Sequence, residues 1–121
     1  MEKIFNLTQH KPTEEQIKSG VIEPDPQIKK EIVNLLTFDS IPSKDEILRR
    51  ARSLAEIVPK EYEKALIGGA LFLMGALESE LRKRRITPLY AFTKRVVEEK
   101  KLEGGIQKTS FFKHLGFIEP P

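Results

Sequence analysis

Ten residues of this chain are suited to chemistry, and they fall in four short stretches: Asn6, Thr8, Gln9 and His10; Gly68 and Gly69; Thr93, Lys94 and Arg95; and His114. Imidazoles titrate near neutrality and can move a proton, so His10 and His114 are the candidate general acid and base. Lys94 is the candidate for stabilising negative charge on a reacting group, and with the histidines completes the candidate catalytic set. Asn6, Thr8, Gln9, Thr93 and Arg95 supply hydrogen-bond donors for a ligand. The Gly68-Gly69 pair lets the backbone turn sharply and lets a ligand approach its N–H groups, because no Cβ intervenes. Donors and cations dominate this set and carboxylates are absent from it, which suits a phosphate-bearing ligand better than a cation.

Each residue also has a plainer role. Asn6 and Thr8 are types that satisfy loop backbone, and His10, beside Lys11 and Pro12, fits an exposed loop. Lys94, Arg95 and Lys113 fit the guard charges of an edge strand. Gly68-Gly69 fits strand-to-helix packing alone.

Composition narrows the classes. The chain has 121 residues, enough for one domain (residues 1–121) with a real core. There is no cysteine and only two histidines, so no disulfide, thiolate chemistry or metal site is expected, and no cofactor. Lys and Arg (21) nearly balance Asp and Glu (18), a mildly basic chain that suits an anionic ligand. No apolar run approaches the ~20 residues of a membrane span, and the first residues lack a signal-peptide layout, so a cytoplasmic protein without membrane contact is expected. GxGxxG, GxxxxGK[ST] and GxSxG are absent, which removes dinucleotide oxidoreductase, P-loop and serine hydrolase readings.

The elements that must position these residues follow from pattern. Lys3–Leu7 reads as a strand. Thr13-Glu14-Glu15-Gln16 is a capping box opening a short helix that Gly20 ends. Val21-Ile22 is a short extended piece, and Asp25 caps a helix with Pro26 in its first turn and an apolar stripe at Ile28, Ile32, Val33, Leu35 and Leu36. Ser43-Lys44-Asp45-Glu46 is a second capping box, before the clearest amphipathic helix, closed by Pro59. Lys64–Ile67 is a buried strand, Ala70 to Arg84 an apolar helix ending in a basic run, and Thr87–Val97 a further strand. Glu103-Gly104-Gly105 marks a hairpin from which Lys108–Phe117 returns. About a turn centred on Gly104, Lys94 lies opposite His114 and Arg95 opposite Lys113.

Alternation of strands and helices predicts an α/β fold: a three-layer, Rossmann-like sandwich, mostly parallel, with an antiparallel hairpin strand at the C-terminus. Ligands of open parallel sheets bind beyond the carboxyl ends of the strands, and all four stretches are expected to converge there.

Across nearly the whole chain, the segments IFNLTQHKPTEEQ, LIGGALFLMGALE, LYAFTKRVVEE and KTSFFKHLGFIEP resemble the compact Rossmann-like accessory proteins found with type III CRISPR systems. That group includes CARF-like ring-nuclease candidates of antiviral defence, some proposed to bind or cleave cyclic oligoadenylate. The resemblance implies a homodimer whose two crevices face one ring-shaped nucleotide, with ligand roles for Asn6, Thr8, His10, Gly68, Gly69, Lys94 and His114. It implies a metal-independent cleavage in which a ribose 2′-hydroxyl attacks its neighbouring phosphate, positioned more than activated. Two other classes fit the residues: a binding module that holds a nucleotide without turnover, and an assembly protein that uses the apolar 70–81 helix.

Overall fold

A computed structural model describes residues 2–121 as β1 (Ile4–Asn6), α1 (Glu14–Lys18), β2 (Val21–Ile22), α2 (Pro26–Leu36), α3 (Lys44–Ile57), β3 (Lys64–Leu66), α4 (Leu71–Lys83), β4 (Thr87–Leu102) and β5 (Gly105–Ile118). Local chemistry sets most of the boundaries. Thr13 and Gln16 form the reciprocal capping box of α1, and the Asp25 carboxylate accepts from the Gln27 and Ile28 N–H groups ahead of Pro26. At α3 only the forward half of the expected box forms. Ser43 accepts from the Glu46 N–H, while the Glu46 carboxylate turns to Arg50 at 3.0 Å. α4 closes in a Schellman turn. The Ile86 N–H donates to the Leu81 carbonyl and the Arg85 N–H to the Arg82 carbonyl, with Arg85 in the left-handed region at φ 61°.

The five strands lie in the order β2-β1-β3-β4-β5. The first four run parallel, and β4 and β5 are antiparallel. From β1 the chain winds out to β2, returns across β1 to β3, and continues to β4, so its winding direction reverses between β1 and β3. The sheet is therefore mixed and curled, mostly parallel, with an antiparallel C-terminal pair, as the alternation predicts.

The two faces of the sheet are covered unequally. Phe5, Leu7, Ala65 and Ile67 pack with Ile32 and Leu36 of α2, Ala51 and Leu54 of α3, and Leu73, Leu77 and Leu81 of α4 in one cluster. On the other face Ile4, Val21, Leu66 and Leu89 form a smaller cluster with Phe117 against it. The only helix outside the main cluster is α1, which buries no residue. α2 passes across the rim: Lys29 reaches the loop after β1, and Leu36 stands 3.5 Å from where a Cβ of Gly69 would be.

The C-terminal hairpin differs from the sequence expectation in length and register. Its strands continue to a two-residue turn, Glu103-Gly104, with φ 95° at Gly104. The turn is centred half a residue before Gly104, so Thr93 pairs with His114, Lys94 with Lys113, and Arg95 with Phe112. The expected pairings of Lys94 with His114 and Arg95 with Lys113 are thus off by one residue, which exchanges the sheet face each side chain presents. A register shift between Phe92 and Thr93 leaves Leu115 as the extra residue of a bulge. From Ala91 to Leu115 every residue is exposed except the half-buried Val96 and His114. Beyond the bulge the hairpin is a free-standing ribbon.

Candidate functional site

At the carboxyl ends of β1, β3 and β4 lies a cavity of about 310 Å³, walled by Thr8, Gln9, His10 and Lys11 after β1, by Ile67, Gly68 and Gly69 after β3, and by Tyr90, Ala91 and Gln16 at its flanks. The loops after β1 and β3 flank the point where the winding reverses, the place where open α/β sheets leave a crevice. Five of the ten sequence-selected residues, Thr8, Gln9, His10, Gly68 and Gly69, come together here. The wall carries hydroxyl, amide, imidazole and ammonium groups and no carboxylate.

A buried polar clasp shapes the β1 loop. Asn6, fully buried, donates through Nδ2 to the His10 carbonyl and to Glu23 Oε1, both at 2.8 Å. Its Oδ1 accepts from the Thr8 N–H at 3.2 Å and the Thr8 hydroxyl at 2.7 Å. Lys29 Nζ donates to the Thr8 carbonyl at 2.7 Å and the His10 carbonyl at 2.9 Å, and pairs with Glu23 at 3.2 Å. These bonds draw residues 8–10 into a tight bend with the side chains of Gln9 and His10 outward and exposed. Asn6 therefore builds the crevice from behind, with all four of its hydrogen-bonding positions occupied.

On the β3 side, Gly69 has φ 145°, and a Cβ there would meet Leu36 at 3.5 Å and Met74 at 3.6 Å. The packing would admit a Cβ at those distances, so it is the positive φ that calls for glycine here. α4 begins two residues later with Ala70 at the N-cap position and no side-chain cap. Behind the wall, the Tyr90 hydroxyl donates to Glu78 Oε2 at 2.6 Å. Burial, this hydrogen bond and the Glu78 charge all push the phenol upward, so Tyr90 keeps its proton throughout the physiological range.

The remaining selected residues lie elsewhere. Thr93, Lys94 and Arg95 stand on the ribbon, and Lys94 is four residues past Tyr90, ~13 Å further along the strand. His114 sits at the ribbon base with its ring 4.9 Å from that of Phe117, and it lines a groove on the sheet face that carries Ile4 and Leu89. Its Nδ1 is buried without a hydrogen-bond partner among the described residues. The two histidines thus line different cavities.

Contributors not selected from sequence are Lys11 on the wall, Gln16 and Tyr90 at its flanks, and Lys29 and Glu23 behind it. Lys29 had a legible signal, since it shares the i, i+3, i+7 face of α2 with buried Ile32 and Leu36. A lysine on a buried stripe needs acceptors, and the β1 loop provides them. Glu23 and Tyr90 carry no such local mark.

Among the described residues, no group of three or more His, Asp or Glu side chains is placed to hold a metal ion, and no helix is long and apolar enough to cross a membrane. No curated protein and no solved structure matches this chain. A family model does match over residues 2–118, nearly the full length, and the chain belongs to the uncharacterized protein MJ1673 family.

Proposed function

We propose that the crevice between the β1 and β3 loops binds a phosphate-bearing, nucleotidic ligand. The observation that carries this reading is a cavity of about 310 Å³ at the switch point of the sheet whose wall offers donors and a lysine but no carboxylate. The start of α4 adds to it. α1, α2 and α3 are capped by Thr13, Asp25 and Ser43, whereas the first turn of α4, next to Gly68 and Gly69, has no side-chain acceptor, so its N–H groups and dipole add positive potential at the rim.

Within this reading the fold is a reduced Rossmann-like sandwich, its second helical layer represented by α1, and the protein is a cytoplasmic, CRISPR-associated nucleotide binder. Cyclic oligoadenylate is the ligand drawn from the resemblance of the four segments. Binding is favoured over turnover because one imidazole, His10, lines the crevice, while His114 and Lys94 stand outside it. Cleavage there rests on the ligand's own 2′-hydroxyl, with His10 as the proton carrier and Lys11 beside the phosphate.

The test is incubation with cyclic oligoadenylates, linear RNAs and mononucleotides in EDTA, resolved by chromatography with mass detection. The expected outcome is an intact nucleotide co-eluting with the protein, weakened at least ~10-fold by Gly68→Val, whose side chain would stand against Thr8 across the crevice, and by Lys11→Glu. Products with cyclic phosphate ends, lost in His10→Ala, move the protein from binder to nuclease. The absence of both binding and products overturns the reading.

A further inference from the structure

Beyond the bulge the β4–β5 ribbon stands exposed among the described residues, although it is ten residue pairs long and carries large apolar side chains. On the face of Val96, Phe111 is 44 % exposed, Phe92 47 % and Leu102 52 %, while Phe112 and Ile106 are exposed on the other face. A two-stranded hairpin is marginal in water, so a ribbon of this length and composition needs a second surface against it. Neither strand is paired on its outer edge.

Register and alternation decide what each face presents. Tyr90 points toward α4, so Phe92, Lys94, Val96, Glu98, Lys100 and Leu102 follow on that face, with Lys113 opposite Lys94, Phe111 opposite Val96, Thr109 opposite Glu98 and Gln107 opposite Lys100. Lys94 and Lys113 are like charges directly across the ladder, an unfavourable pair unless an anion lies over them. One row further is the apolar Val96/Phe111 pair, and one row beyond that is Glu98. The order of cation, apolar row and anion is self-complementary about the Val96/Phe111 row.

We propose that this face is the interface with a second copy of the chain, the two ribbons stacked antiparallel with a two-fold axis through the Val96/Phe111 row. In that arrangement Val96 and Phe111 meet their counterparts, and Glu98 of each copy lies over Lys94 of the other, relieving the Lys94/Lys113 repulsion twice. Such an interface is isologous and closed, which two-fold dimers require. Its ~40 Å length presents about a dozen side chains, on the order of 500 Å² per copy and about 1,000 Å² in total, which reaches the size of a specific interface. The three lysines of this face, Lys94, Lys100 and Lys113, would also suit a polyanion, but Glu98 stands between them where a phosphate would lie and is used only by a second copy, so dependence on RNA is an arm of the test. This inference does not depend on the ligand reading.

Analytical ultracentrifugation of the full chain tests it, with circular dichroism to confirm folding. The wild type should sediment as a dimer at micromolar concentration. Lys94→Glu should raise the dimer dissociation constant at least ~10-fold, since two like-charge contacts form at once, and Lys94→Glu/Glu98→Lys should return it to within ~3-fold. Because the chain has no cysteine, a short bismaleimide should join two Val96→Cys chains and leave Val97→Cys chains, which face the other way, unjoined. A monomeric wild type overturns the proposal. So does a dimer that neither the charge reversal nor Phe111→Ser weakens, which would place the interface elsewhere, and so does a wild type that dimerises only when RNA is added.

Discussion

Asn6 and Lys29 set the shape of the crevice without touching its interior. Asn6 uses both of its donor positions and both of its acceptor positions on the β1 loop and Glu23, and Lys29 donates to the Thr8 carbonyl and adds a second donor to the His10 carbonyl. Asn6→Ala removes four hydrogen bonds and leaves the Thr8 N–H without its acceptor, while Lys29 still holds the His10 carbonyl and Glu23, at a cost of about 1–3 kcal/mol in urea unfolding. The same substitution should speed amide exchange of residues 7–11 more than that of α3. A uniform increase across the chain would mean that the clasp serves global stability and not the loop. Arg85 gives the opposite case. Its φ of 61° closes α4, but a side chain there strains the backbone. Arg85→Gly should raise stability by about 0.5–1 kcal/mol, an increase of roughly 2–4 °C in melting temperature.

At the scale of elements, the parallel pair α3 and α4 is held at its lower end by charge. Glu80 is buried among cations: Arg84 at 3.1 Å, Lys83 at 3.5 Å and Arg52 of α3 at 3.9 Å, with Arg84 also 3.4 Å from Glu56. Burial pushes the Glu80 carboxyl up, and its hydrogen bonds and attraction to Arg84 and Lys83 outweigh that, leaving it below the ordinary value of 4.5. A carboxyl lowered in the folded state adds stability above its unfolded pKa and loses that contribution as pH falls through the folded one. Glu80→Gln should therefore be less stable than wild type at neutral pH, and the difference should shrink as pH drops below about 4.5. Denaturant midpoints measured across pH check this, and a gap that stays constant with pH rules it out.

At the scale of the whole molecule, the helical cluster and the ribbon divide the labour. The helices bury one sheet face and fix the rim on which the crevice forms, while the second face keeps only a small cluster and an open groove. Most of the apolar surface left over lies on the ribbon and around the start of α4, where Leu71 is 90 % exposed and Phe72 shares a groove with Ile41 of the α2–α3 connection, 97 % exposed. Of the apolar side chains that open α4, Leu73, Met74 and Leu77 are buried in the core, while Leu71 and Phe72 face outward.

Local chemistry by itself determined a great deal of this protein. Caps at Thr13, Asp25 and Ser43, Gly69 after a buried strand and the 3.6-residue stripes are signals within a few residues, so helix positions, the parallel strands and the β1–β3 half of the crevice were legible from the chain. Pairing across the hairpin was not, because a turn of two residues and a turn centred on Gly104 differ by half a residue in sequence and by a full face in the sheet. That shift put His114 on the other face of the sheet from Lys94, while Lys94 and Arg95 lie outside the crevice because β4 runs on past Tyr90 into the ribbon. Lys29 and Glu23 entered the site for the complementary reason: their partners are brought near only when α2 crosses the rim. What tertiary structure alone decided is which distant residues share a cavity and which strands protrude from the body, since both depend on strand order and crossing paths that no local pattern encodes.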